Sequence, residues 1–188
     1  FLHDGNTRSV SMATVTIGVL GAAGRMGRAI AELASQDADV TLAALLEAPG
    51  SAGIGESRYG LRVTDDLVAA LTGVNALIDF TSPASSLGHA LIASEGKVPL
   101  VVGTTGIDEG GRKTLLEASR RIPIVFSPNM SLSANVLFEV VERVARLLPG
   151  DDAEVVEIHH NLKKDSPSGT AQRLADAVQR GRKSGRFV

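Results

Sequence analysis

The chain has 188 residues, 44% of them hydrophobic, and its 19 basic and 21 acidic side chains give a net charge of −2. This length suits one domain with a hydrophobic core plus part of a second. The balanced charge and the 3% aromatic content argue against nucleic acid as a partner, so small molecules are expected. The lack of cysteine excludes disulfides and thiolate zinc sites and fits a cytoplasmic protein. No apolar run is long enough to cross a bilayer, so no membrane partner is expected.

Short apolar runs alternate with helix-like segments over the first two thirds of the chain. Residues 1–13 are interpreted as an N-terminal extension around a natural start at Met12. The predicted strands are 15–20, 40–46, 76–80, 100–102 and 124–126, and the predicted helices are 24–35, 65–72, 83–95 and 109–120. Apolar strands joined by helices predict a parallel sheet that binds ligands at its carboxyl ends. Residues 14–128 therefore read as a Rossmann-like dinucleotide-binding domain.

The pattern changes after Pro128, where a second domain, 129–188, is predicted. A long amphipathic segment at 131–148 precedes a strand-like run at 153–158. Ser168 is a candidate N-cap for a following helix.

A GxxGxxG turn connects the first predicted strand to the first helix. Gly21 permits the tight turn, Gly24 lets a pyrophosphate approach the helix N-terminus, and Gly27 permits close helix packing. Glu47 ends the second strand twenty residues after Gly27, where a carboxylate can accept hydrogen bonds from ribose hydroxyls. A glycine-rich turn without a ligand is the alternative, but the strand, turn, helix and acid together favour a dinucleotide.

The same segment leaves the choice between NADH and NADPH open. Ala48 follows Glu47, so no cation stands directly beside the acid to bind a 2′-phosphate. Arg25 and Arg58 are the candidates to supply that charge.

Three further loops lie at predicted strand ends. They are Phe80-Thr81, Gly103-Thr104-Thr105 and Ser127-Pro128-Asn129-Met130. Small hydroxyl residues and glycines suit a nicotinamide that lies against backbone. Ordinary turn chemistry explains each loop about as well when it is taken alone.

The segment EIHHNLKKDSPSGTA, residues 157–171, concentrates basic side chains and a Ser-Gly-Thr turn. His159 and His160 would point to opposite faces of a strand, so no metal site is expected. Either histidine could join Lys163 in a pocket that binds an anionic substrate and donates a proton, although spacing barely separates Lys163 from Lys164. The amides of 169–170 offer a second anion site, which suggests a dicarboxylate. A capped surface helix after a polar loop is the alternative.

The motifs VLGAAGRMGR, DFTSP, GTTG and EIHHNLKKDSPSGTA together resemble the 4-hydroxy-tetrahydrodipicolinate reductase (dihydrodipicolinate reductase) family of lysine and diaminopimelate biosynthesis. The resemblance runs from about Val15 to about Val178. It implies an α/β protein with a Rossmann-like parallel sheet domain, followed here by part of a mixed α/β substrate domain. It also implies an oxidoreductase that uses NADH or NADPH to reduce 4-hydroxy-tetrahydrodipicolinate to tetrahydrodipicolinate, and a homotetramer if the chain is full length.

By position, the resemblance also implies roles for individual residues. The cofactor-binding residues are Gly21, Ala22, Ala23, Gly24, Arg25, Met26, Glu47, Phe80, Thr81, Gly103, Thr104, Thr105, Ser127, Pro128, Asn129 and Met130. His159 and Lys163 are catalytic, with Lys163 as the proton donor. His160, Gly169 and Thr170 bind the substrate carboxylates.

Two departures from the family pattern affect these expectations. Ser133 stands where relatives have glycine, which is expected to perturb a turn near the nicotinamide. Family members also continue for roughly another third of their length, so a truncated chain is expected to leave an unburied face and to have little activity. The alternatives are a catalytically silent nucleotide-binding fragment, or another Rossmann dehydrogenase of amino-acid precursors such as a semialdehyde.

Overall fold

A computed structural model describes residues 14–159, 161 and 166–182, which form two compact units that divide between Phe126 and Ser127. The predicted N-terminal extension and the candidate site residues His160 and Lys163 lie outside the described residues.

The first unit contains a mostly parallel sheet of seven strands, counted within residues 14–126. The strands are β1 (Val15–Leu20), β2 (Val40–Leu46), β3 (Ser57–Arg58), β4 (Leu61–Thr64), β5 (Ala76–Asp79), β6 (Leu100–Val102) and β7 (Ile124–Phe126). Their order in the sheet is β3-β4-β2-β1-β5-β6-β7, and only the β3–β4 pair among them is antiparallel. The five predicted strands are confirmed, except that β5 ends at Asp79 rather than Phe80. The short strands β3 and β4 were not predicted.

Four helices connect these strands in the described part of the first unit. They are α1 (Arg25–Gln36), α2 (Leu67–Ala70), α3 (Pro83–Glu95) and α4 (Glu109–Ala118), with a 3₁₀ turn at Leu71–Gly73. Their starts follow local chemistry, since Ser82 and Asp108 accept hydrogen bonds from the third residue of α3 and α4. The segment predicted as one helix at 65–72 is the short α2 plus the 3₁₀ turn.

Two apolar clusters form the core of this unit. Side chains alternate along β1, so that Val19 packs into one cluster and Leu20 into the other, and both are almost completely buried. Leu77 on β5 and Leu100 on β6 are equally buried. The sheet is therefore covered on both faces, as predicted, and its carboxyl edge is left for a ligand.

The second unit contains two packed helices, α5 (Leu132–Leu147) and α6 (Gly169–Arg182). A Cβ added at Gly181 would lie 2.3 Å from the backbone oxygen of Glu142, so the two helix backbones approach closely there. The amphipathic segment at 131–148 forms the helix α5, with Ser131 as its N-cap.

The predicted strand at 153–158 is wrong. No strand is found between Ser127 and His159, and Val156 and Ile158 are 82% and 92% exposed. The β-branched pattern is that of a strand, but a strand forms only where a neighbouring strand takes up its backbone hydrogen bonds. The described residues of this unit offer no such neighbour.

Candidate functional site

The glycine turn after β1 has the predicted shape. Gly21 has a φ of +78°, a conformation that glycine adopts without strain. A Cβ at Gly27 would lie 2.0 Å from the Gly21 oxygen, so α1 packs directly on the turn. Gly24 is the N-cap of α1 in extended conformation and, as a glycine, has no side chain that could cap the helix. The amides at this helix end are consequently available to a ligand. The predicted roles of Gly21 and Gly27 in turn and packing are confirmed.

Glu47, at the end of β2, is joined to this turn. Its Oε1 accepts a hydrogen bond of 2.5 Å from the backbone N–H of Ala23. The amides of Gly21 and Ala22 donate to the Leu46 oxygen at 2.9 and 3.0 Å. The second carboxylate oxygen of Glu47 accepts no hydrogen bond from the described residues, which leaves it for a ribose hydroxyl.

A cavity of about 520 Å³ lies at this edge of the sheet. It is lined by five predicted cofactor residues, namely Gly21, Gly24, Glu47, Phe80 and Thr81. Apolar walls come from Leu46, Leu67 and Ile92, and His89 of α3 also lines it. The cavity brings together residues that the sequence places after three different strands, β1, β2 and β5.

Arg58 does not lie in this cavity. Its guanidinium binds Glu56, with the Nε–Oε2 distance 3.0 Å, and donates to the Ala22 oxygen at 3.4 Å. It lines a separate cavity beside Arg28 and Tyr59. Of the two candidate cations for a 2′-phosphate, Arg58 is thus already paired with Glu56, which leaves Arg25.

Sequence reasoning missed a buried polar network at the end of β5. Asp79 is fully buried, and its Oδ1 accepts hydrogen bonds from the N–H of Thr81 at 2.9 Å and from its hydroxyl at 2.6 Å. The other oxygen, Oδ2, is 2.8 Å from Nδ1 of His89. The signal in the sequence was an acidic residue at the end of an otherwise apolar strand, because such a group is buried only with partners.

The same network connects two predicted cofactor loops. Thr104 Oγ1, which is buried, accepts from the Thr81 N–H at 3.1 Å and lies 2.7 Å from Ser86 Oγ. A Cβ at Gly103 would lie 2.1 Å from the Phe80 ring, so a larger residue there would displace that ring. The loops after β5 and β6 are thereby held against each other, whereas Thr105 is exposed.

The loop Ser127–Met130 belongs to the second unit. Ser127 Oγ donates to the Asn129 oxygen at 2.7 Å, and Asn135 of α5 donates to the same oxygen at 2.9 Å. Ser133 lies in the first turn of α5, where its hydroxyl is 3.0 Å from that of Ser131. Position 133 is therefore helical rather than part of a turn, and the expected effect of Ser133 near the nicotinamide stays a prediction.

Glu157 organises the described part of the basic segment and was not predicted as a site residue. Its Oε2 is 2.8 Å from Nε2 of His159, and its Oε1 accepts from the Ser168 N–H at 2.9 Å. Hydrogen bonds from Ser168 and from His159 lower the pKa of Glu157 to about 2. Ser168 Oγ accepts from the Ala171 N–H at 3.1 Å, which confirms Ser168 as an N-cap. Gly169 and Thr170 then form the exposed first turn of α6.

Neither a metal site nor a membrane-spanning helix is found in the described ranges. No group of three histidine, cysteine, aspartate or glutamate side chains there could hold a metal ion. No helix there has the length and apolar character needed to span a membrane.

Comparison with known proteins identifies relatives over nearly the whole chain. Residues 15–130 match the family model for the N-terminus of dihydrodipicolinate reductase, and residues 133–187 match the model for its C-terminus. The chain is 43% identical over 175 residues to a 4-hydroxy-tetrahydrodipicolinate reductase of Dechloromonas aromatica (strain RCB), and covers 65% of that protein with 89% of its own length. It is 42% identical over 175 residues to the enzyme of Thiobacillus denitrificans (strain ATCC 25259 / T1), with coverages of 66% and 89%. The chain therefore spans slightly less than two thirds of the length of these curated relatives.

Among solved structures, the fold is similar to that of a dihydrodipicolinate reductase from Paenisporosarcina sp. TG-14 with dipicolinate bound. The TM-score is 0.77 at 22% sequence identity, over 93% of this chain and 69% of the other. This likeness supports the Rossmann-like α/β fold.

Proposed function

Because the chain belongs to the dihydrodipicolinate reductase family, we propose that it serves as an NADH- or NADPH-dependent oxidoreductase that reduces 4-hydroxy-tetrahydrodipicolinate to tetrahydrodipicolinate. This step belongs to lysine and diaminopimelate biosynthesis. The observation that carries the proposal is the cavity that gathers Gly21, Gly24 and Glu47 at the carboxyl edge of the sheet. Phosphates, ribose and base each find suitable chemistry there.

The residues at this edge fit a dinucleotide. The amino end of α1 offers free amides and a partial positive charge to a pyrophosphate. Gly24 has no side chain that would block the approach of the phosphates. The second oxygen of Glu47 can accept from ribose hydroxyls. Thr81 and Thr104 hold the two loops against which the nicotinamide would lie. When bound, the dinucleotide supplies the hydride. The proposal includes both NADH and NADPH. Ala48 beside Glu47 and the pairing of Arg58 with Glu56 leave Arg25 as the candidate to bind a 2′-phosphate.

The basic segment would bind the substrate and deliver the proton. We assign Lys163 as proton donor and His159 as its catalytic partner, with the imidazole of His159 oriented by Glu157. His160 and the exposed amides of Gly169 and Thr170 would bind the substrate carboxylates. A dicarboxylate suits this set, since the relative from Paenisporosarcina sp. TG-14 has dipicolinate bound.

Neighbouring lysines provide the test. Replacing Lys163 with Ala should lower turnover by about 100-fold or more, the usual effect of losing a general acid, and leave NADH affinity nearly unchanged. Lys164→Ala is the matched control, and should keep the turnover and the NADH affinity of the wild type. Steady-state kinetics and titration calorimetry with NADH measure the two quantities. Equal losses of turnover and affinity in Lys163→Ala, or the same loss in Lys164→Ala, would contradict the assigned role.

A second candidate function is dinucleotide binding without turnover. It is favoured by the exposed apolar side chains of the second unit, since Val136, Val140 and Val144 of α5 are about half exposed and Ile158 is 92% exposed. Such a face is typical of a surface that another segment or subunit covers. NADH binding by the 188-residue chain without reduction of the substrate would establish this alternative.

The family's homotetramer and a cytoplasmic location are proposed on the same basis. Sedimentation equilibrium of the purified chain tests the assembly, and a monomer at micromolar concentration would contradict it.

A further inference from the structure

His89 is the one histidine that lines the dinucleotide cavity, among the residues the structure describes. It lies on α3, where Gly88 and Ile92 also line the cavity. The side chain is 24% exposed, whereas its partner Asp79 is fully buried. The ring therefore stands between the protein interior and the cavity.

The network fixes which nitrogen of this ring faces the cavity. Asp79 accepts two hydrogen bonds from Thr81, and at 2.8 Å its other oxygen contacts Nδ1 of His89. A carboxylate only accepts, so the proton of the neutral ring is assigned to Nδ1. Nε2 then carries the lone pair. Because Nδ1 is turned toward a fully buried group, the exposed edge of the ring is the one that contains Nε2.

The other parts of a dinucleotide already have partners at this edge. The amides at the start of α1 suit the pyrophosphate, and the free oxygen of Glu47 suits a ribose. Leu46, Leu67 and Ile92 form an apolar part of the wall that suits the flat faces of a purine, and Asp65, Ser82 and Ser85 also line the cavity. A purine in that space presents a polar edge. Two polar side chains of α3 line the cavity: the hydroxyl of Ser85 is bonded to that of Ser82 at 2.8 Å, whereas Nε2 of His89 has no hydrogen-bond partner among the described residues.

We infer that His89 is a base-recognition residue, whose Nε2 accepts a hydrogen bond from the exocyclic amine of the adenine. Asp79 is the positioning residue that holds the ring in the accepting tautomer. The inference deepens the proposed function and rests on it, because it requires that this cavity bind NADH or NADPH.

The analogue of NADH in which hypoxanthine replaces adenine tests this inference, since it carries a carbonyl oxygen where adenine carries the amine. The 188-residue chain should bind NADH about three- to tenfold more tightly than the analogue, the range expected for one hydrogen bond. His89→Phe keeps a planar ring but removes the acceptor, and should bind both dinucleotides equally. Leu91→Ala is the matched control, because Leu91 lies on the same helix, is 50% exposed and does not line the cavity. Titration calorimetry gives both dissociation constants for each protein.

The outcomes separate the inference from the proposed function. Equal affinity of the wild-type chain for the two dinucleotides overturns the base-recognition role, and NADH binding is unaffected by that result. The same holds if the ratio of the two dissociation constants is the same in His89→Phe as in the wild type. Failure of the wild-type chain to bind either dinucleotide overturns both proposals. The comparison of the two dinucleotides on the wild-type chain needs no variant, so a poorly folded His89→Phe protein does not prevent a decision.

Discussion

Replacing Gly27 with Ala tests the close packing of α1 on the glycine turn. The added Cβ would lie 2.0 Å from the Gly21 oxygen, 2.7 Å from its carbonyl carbon and 2.9 Å from the Ala22 Cα. All three neighbours are backbone atoms, so no side-chain rotation relieves the contact. Ordinary contact begins at 3.4 Å, and the helix and turn must therefore separate by about 1.4 Å, the difference between 3.4 and 2.0 Å.

The magnitude follows from two opposing effects. Alanine is intrinsically better than glycine in a helix by up to about 1 kcal/mol. Forcing a methyl group into a closely packed site costs about 1–3 kcal/mol, and a backbone clash belongs at the upper end of that range. Because α1 also buries Ala31 and Ala34 against the second apolar cluster, a shift of the helix disturbs the core. We expect the free energy of unfolding to fall by about 2 kcal/mol.

Gly88→Ala is the matched control for this experiment. Gly88 lies inside α3, and a Cβ there would meet nothing within 4 Å. The substitution should stabilise the chain by about 0.5–1 kcal/mol through helix propensity alone. Urea unfolding followed by circular dichroism measures both variants in the absence of ligand. If Gly27→Ala were as stable as the wild type, the close approach of α1 to the turn, and the site built on it, would be refuted.

The other predictions concern the two hydrogen-bonded acids and the helix pair. Asp79→Ala leaves the donors of its buried partners without an acceptor, so the free energy of unfolding should fall by about 2–4 kcal/mol in urea titrations, with a smaller loss for Asp79→Asn. The pKa of Glu157 is about 2 in the folded chain against 4.5 for the free side chain, so its stabilising effect is complete above about pH 4.5 and lost as the pH falls toward 2. Thermal unfolding midpoints should therefore fall less steeply with acidification in Glu157→Gln, and parallel curves would contradict this. Gly181→Ala should separate α5 from α6, because its Cβ would meet the Glu142 oxygen at 2.3 Å, and limited proteolysis should then cut between Ser127 and Arg182 faster than in the wild type.

The elements that sequence predicted well are those specified by local chemistry. Helices α3 and α5 begin at serine caps, and β1 is an apolar run that ends at a glycine with positive φ. The two missed strands are short and partly polar, and β3 consists of only Ser57–Arg58. Their pairing is set by neighbouring strands rather than by their own pattern. The strand predicted at 153–158 fails for the converse reason, because its pattern is right and its partner is absent from the described residues.

The candidate site also contains parts that local sequence specifies and parts that only the fold brings together. The glycine turn and Glu47 could be predicted, because both belong to a single βαβ unit in which their sequence spacing is characteristic. The network around Asp79 could not, because its members lie on β5, on α3 and in the loop after β6, and only the fold brings them together. The sequence pattern predicts that Asp79 lies in a strand and indicates no role for His89.

This difference bears on how the cavity is formed. A fully buried carboxyl group is costly without partners, so the fold that buries Asp79 must also place Thr81 and His89 around it. Thr104 is bonded to the same group of side chains, which fixes the second loop. The folding of the first unit thus positions the two loops without a ligand. Dinucleotide affinity and stability should consequently fall together in variants of Asp79 and, to a smaller extent, in variants of His89, because each change removes a hydrogen bond from the buried network.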